Sequence, residues 1–187
     1  MLVRQDAAMA ERRDVELYRR DWEMRPDQKE LDLALGFMVR QAAMLEFFLH
    51  QTIRRLVDGR YAILVTAGMQ ASAVLDAVKR IIDVGAVSDE AAQEMADISG
   101  KCRTAFRERN KYVHGLCVTG TESSEVWTNN RKNGGIDQHP LEADRLMALG
   151  ADFARLSSQV TEWYRLRLEG HPRRHSRPSA PQEEAPE

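Results

Sequence analysis

Residues 27–57 read DQKELDLALGFMVRQAAMLEFFLHQTIRRLV. Apolar residues recur at Leu31, Leu35, Met38, Ala42, Leu45, Leu49 and Leu56, the three-and-four spacing of a helix that buries one stripe. Pro26 stands just ahead, where the first turn of a helix loses nothing by lacking an N–H, and Gly59 closes the run. From Ala42 to Leu49 the sequence AAMLEFFL is apolar nearly all round, apart from Glu46. That part belongs in the centre of a bundle or in an oligomer interface.

Working outward, a second helix is predicted over about 66–84, with Met69, Ala73, Leu75, Val78, Ile81 and Ile82 inward and Gly85 at its end. Ser88 followed by Asp89, Glu90 and Ala91 reads as an N-cap with acidic residues in the first turn, where the helix dipole favours them. The third helix carries Met95, Ile98, Cys102, Ala105, Phe106 and Val113 and stops at Gly115. Residues 116–139 change character. Val118, Thr119, Val126, Trp127 and Thr128 are β-compatible, and Asn133, Gly134 and Gly135 signal a turn. An extended excursion or short hairpin is expected there, after which Pro140 opens a last helix to about Glu169.

The predicted fold class is therefore all-α, an up-and-down bundle of four to five helices with that excursion before the last helix. Three parts are expected: a polar helix over 1–25 docked by Tyr18 and Trp22, a bundle over 26–169, and a disordered tail over 170–187. The tail holds four of the six prolines and few apolar residues.

Composition narrows the function. The 187 residues carry 27 Lys plus Arg against 29 Asp plus Glu, a net charge of −2. The chain is not a bulk polycation, so any nucleic-acid role must rest on a local constellation. Cys102 and Cys117 lie in neither redox nor metal-ligand spacing, and a reducing cytoplasm is the expected compartment. The N-terminus lacks the apolar stretch of a signal peptide, and no run of about 18 uncharged apolar residues suggests a membrane span. Dinucleotide, P-loop, zincin and α/β-hydrolase motifs are missing.

The segment Phe106-Arg107-Glu108-Arg109-Asn110-Lys111-Tyr112-Val113-His114-Gly115 is the most informative for chemistry. The stripe Met95, Ile98, Cys102, Phe106, Val113 passes through position 109, so Arg109 stands where an apolar residue is expected. A buried arginine needs a partner, and Glu46 is the natural candidate. Asn110 and His114, four apart, share a face. Arg109 and His114 are five apart, roughly 140° around a regular helix. Three solutions remain open: the last turn unwinds at His114, Arg109 reaches round, or Arg109 of one protomer meets His114 of another. An imidazole beside a fixed guanidinium suits metal-independent phosphodiester cleavage, the one moving a proton and the other stabilising phosphate charge. A structural salt bridge at Arg109 and a helix-end histidine at 114 give a purely architectural reading of the same residues.

Arg109-Asn110, three intervening residues, then His114-Gly115, at the end of the third long helix, resembles the RNxxxH motif of the HEPN (higher eukaryotes and prokaryotes nucleotide-binding) superfamily. The segment YAILVTAGM (61–69), the loop near Gly85 and the stretch after Gly115 are similar in layout to bacterial members, and the similarity covers roughly residues 27–168. The resemblance implies a compact helical homodimer whose two motifs face one another across a cleft. Many members are endoribonucleases that leave a 2′,3′-cyclic phosphate, among them toxins and phage-defence proteins. On this resemblance Arg109 and His114 are the catalytic pair and Asn110 a polar helper. RNA is the expected partner, together with a cognate antitoxin or nucleotidyltransferase. No cofactor, metal or membrane is expected. Glu46 as a supporting acid follows from its place in AAMLEFFL. The family also includes non-catalytic dimers that bind nucleotide, RNA or protein, the alternative function.

Other residues bear on RNA binding. Lys101, Arg103, Arg107 and Lys111 make the second half of the third helix basic, which suits either a phosphate backbone or the dipole at a helix C-terminus. Tyr112, Trp127 and residues 129–133 offer either base stacking or an ordinary solvated hairpin tip. Glu46 and His50, four apart, lack a third metal ligand at matching spacing, so His50 reads as a core-edge histidine.

Overall fold

The computed structural model describes residues 26–57, 59–119, 124–130 and 134–169. The segments 1–25 and 170–187, read above as a polar helix and a disordered tail, lie outside them. Within the described residues the chain runs α1 (Pro26–Leu56), α2 (Gly59–Thr66), α3 (Ala71–Asp83), α4 (Asp89–His114), β1 (Leu116–Thr119), β2 (Ser124–Asn129), β3 (Ile136–Pro140) and α5 (Ala143–Tyr164), which ends in a π-helical turn (Arg165–Glu169).

The protein is mostly helical, but the all-α expectation needs correcting. The excursion is a three-stranded antiparallel sheet in the order β1-β2-β3, with Leu116 opposite Trp127 and Glu125 opposite Pro140. Pro140 ends an edge strand, where its missing N–H breaks no ladder, instead of opening the last helix. Residues 59–66 form a separate short helix, so the second long helix begins at Ala71 and not near Thr66.

The core follows from the stripes. Helix α1 buries Met38, Ala42, Leu45, Leu49 and Ile53, while Leu31, Leu35 and Leu56 pack at its edge. Gln28–Leu56 is long and apolar enough, by length and composition, to cross a membrane, but its inner face is occupied by the other helices. Its closest partner is α5, which brings Leu146, Leu149, Phe153, Leu156 and Val160. At their crossing a Cβ added to Gly150 would lie 2.5 Å from the Phe37 ring, so the absence of a side chain sets how near the two helices come.

Helix α4 is tied to α5 at both ends, which fixes the pair as antiparallel. Near its start the Trp163 indole N–H donates to the Ala91 carbonyl at 2.9 Å, and Arg167 reaches Glu94 and Glu90 at 2.5 and 3.1 Å. Near its end Arg145 pairs with Glu108 at 2.6 Å. The tryptophan bond removes a buried donor that would otherwise cost about 1–3 kcal/mol. Held this way, the last turns of α4 are a rigid mount for whatever chemistry they carry.

Candidate functional site

Helix α4 begins as its sequence demands: Ser88 is extended and its hydroxyl accepts from the Ala91 N–H at 3.4 Å. It runs regularly through His114 and gives way at Gly115 to β1. Gly115 is there for space. Its φ is −86°, open to any residue, but a Cβ would collide with the Val126 side chain and lie 2.5 Å from the Lys111 carbonyl oxygen. Val126, fully buried in β2, therefore packs directly on the backbone beside His114.

Two faces of the last turns have different fates. On the side toward α5, Glu108 accepts from Lys111 and Arg145, both at 2.6 Å. Desolvation pushes its carboxyl upward, but these two cations outweigh it and hold the group below the usual carboxylate range. Tyr112 is only 2% exposed, and the Arg145 guanidinium sits 6.0 Å over its ring. The expectation that Tyr112 stacks bases is thereby corrected: its ring faces are used inside the protein. Lys111 is likewise committed to Glu108.

The other face opens on a cavity of about 420 Å³ whose lining includes Glu46 from α1, Arg103, Arg107, Arg109, Asn110 and His114 from α4, and Gln70 and Ser72 from the start of α3. Arg109 Nη1 donates to Asn110 Oδ1 at 3.1 Å. Arg109 Nε is buried and has no hydrogen-bond partner among the described residues. Arg103 is held at 2.7 Å by Asp76, while Arg107, Asn110 and His114 are exposed. Because α4 stays helical through position 114, the roughly 140° offset is met by the length of the Arg109 side chain, which reaches round to the same cavity. Neither unwinding nor a second protomer is needed to bring them together.

The expected Arg109–Glu46 ion pair is not formed among the described residues. Both side chains are half-buried and line the cavity, each with capacity unspent. The structure therefore gathers Arg109, Asn110, His114, Glu46, Arg107 and Arg103, and leaves Lys111 and Tyr112 outside. Trp127 is half-buried with its N–H on Glu125 at 3.0 Å.

The sequence reading missed the contribution of α3. Val74 N–H to the Gln70 carbonyl is its first helical bond, at 3.0 Å, and Gln70 gives no side-chain cap. The N–H groups ahead of it sit at the positive end of the helix dipole beside three arginines. With a helix predicted from Thr66, residues 70–72 fell in its interior, and no signal in the sequence marked them as a terminus. Among the described residues no three His, Cys, Asp or Glu side chains gather as a metal site, and Glu46 and His50 stand without a third ligand.

Comparison with family models, with curated proteins and with solved structures gives no match for this chain.

Proposed function

We propose that this protein is a metal-independent endoribonuclease of HEPN type. On this reading its bundle is the up-and-down HEPN arrangement with a small sheet added before the last helix. The observation that carries the reading is the gathering of Arg109, Asn110 and His114 on one cavity wall. A guanidinium at that wall answers the charge of a phosphate with charge-assisted hydrogen bonds. His114, exposed at the cavity mouth, transfers a proton. Asn110, bonded to Arg109, keeps the guanidinium in place. Arg107 and Arg103 hold the RNA backbone on either side.

The protein acts as a homodimer in a reducing cytoplasm, as a toxin or phage-defence effector restrained by a cognate antitoxin or nucleotidyltransferase. Leu33, Met44 and Phe47 on the outer face of α1, all exposed, give a dimer apolar surface to bury. The scaffold alternative drew on an Arg109–Glu46 structural pair, and without that pair no specific observation favours it.

The test is cleavage of RNA in EDTA by the full chain. Wild type is expected to cut and leave 2′,3′-cyclic phosphate ends. His114→Ala should lower the rate by about 10²–10⁴-fold while melting temperature and dimer mass stay unchanged. Cleavage that survives in both His114→Ala and Arg109→Ala would remove these residues from their roles.

A further inference from the structure

We infer that Glu46 is the general base of the same reaction, working opposite His114 as the general acid; the inference rests on the ribonuclease reading above. Transesterification at a ribose 2′-hydroxyl needs two proton transfers, one from the nucleophile and one to the leaving oxygen. A single imidazole cannot make both in one step. The cavity must supply a second group, and its lining offers one candidate. Arg103, Arg107 and Arg109 keep their protons at any working pH. The rest of the polar lining is amide and hydroxyl. Glu46 and His114 are the only carboxylate and the only imidazole in that lining.

Three observations single out Glu46. It is the lone charge in an otherwise apolar run in the second half of α1. It is half-buried at the cavity wall. It forms no ion pair or side-chain hydrogen bond among the described residues, although three arginines line the same space. Its acceptor lone pairs are therefore uncommitted, and an ionised carboxylate is an acceptor only. From α4 the groups that share the cavity with it are those arginines and His114. From the first turn of α3 the lining carries no charge, and on α1 itself the nearest titrating group along the face is His50.

The step balances. Glu46 takes the 2′-hydroxyl proton as the 2′-oxygen bonds to phosphorus. The bond from phosphorus to the 5′-oxygen breaks, and that oxygen receives its proton from the His114 imidazolium. The products are a 2′,3′-cyclic phosphate and a free 5′-hydroxyl. Glu46 ends protonated and His114 neutral, and exchange with water restores both. Arg109 stabilises the equatorial phosphate charge throughout.

The experiment measures kcat and KM between pH 4 and 9 in EDTA on a DNA oligonucleotide with one ribonucleotide, for wild type, Glu46→Gln, Glu46→Asp and His114→Ala. Wild type should give a two-limbed profile. Glu46→Gln should lose about 10²–10⁴-fold in kcat with KM almost unchanged, and its profile should lack the acid-side limb. Glu46→Asp should restore part of the rate together with that limb. His114→Ala should lose the basic-side limb. A Glu46→Gln enzyme within threefold of wild type, beside an inactive His114→Ala, overturns the role of Glu46 and leaves the ribonuclease reading standing. A slow Glu46→Gln enzyme that keeps both limbs also overturns it, since a merely structural role slows the reaction without changing its proton inventory. If Glu46→Gln melts below the assay temperature, Glu46→Asp decides: a rate at least tenfold lower supports the role and an unaltered kcat overturns it. No cleavage by wild type defeats both readings.

Discussion

Arg109 is legible as an anomaly in the sequence, because the apolar stripe of its helix runs through its position. Its partner is not. Burial alone argued for Glu46, yet the guanidinium bonds Asn110 and leaves Nε without an acceptor. An unmade buried hydrogen bond costs about 1–3 kcal/mol, a cost that Arg109 carries at Nε. Arg109→Met, of similar reach and without donors, is expected to raise the melting temperature by about 2–12 °C and to abolish RNA cleavage, as scanning calorimetry beside the activity assay would reveal. A fall in melting temperature would mean that the guanidinium is paired in solution. Tyr112 failed as a base-stacking residue for a different reason. Helix α4 is covered on more than one side, so its buried arc is wider than the single stripe that periodicity detects. Tyr112 lies in the extra width.

Among elements, the long amphipathic helices were legible because each spends many residues on one face. The short helix α2 was not, and the excursion was legible as β-compatible pieces with a turn but not as a three-stranded sheet. Eight residues give too few turns to show a period, and β2 buries only Val126 fully, too little for an alternation signal. That one valine nonetheless governs how α4 ends. Gly115 read correctly as a terminator, but the reason is contact with Val126 and the Lys111 carbonyl and not a left-handed cap. Gly115→Ala must therefore push the sheet from the helix. Overpacking of this kind costs about 1–3 kcal/mol, to be seen in denaturant melts, and cleavage should fall with it because His114 is the adjoining residue. A Gly115→Ala protein with wild-type stability would show that the sheet is free to move aside.

Over the whole molecule, the net charge of −2 hides a division of labour. Arg145 and Arg167 are consumed in pairs that bind α4 to α5 and its terminal turn, and Lys111 in a pair within α4, while Arg103, Arg107 and Arg109 line one cavity. With two or three phosphates contacted by these arginines, kcat/KM should fall about tenfold between 50 and 200 mM salt. Stopped assays across that range measure the slope, and a flat response would mean that binding does not run through these arginines. Sequence could total the charges but not sort them, since pairing depends on which helix lies alongside. The buried, unmet donor at Arg109 has a consequence for heredity as well. A variant library screened for heat tolerance alone should discard arginine at codon 109 early, whereas one required to cut RNA should keep it. A lineage released from its chemistry would betray the change first at that codon.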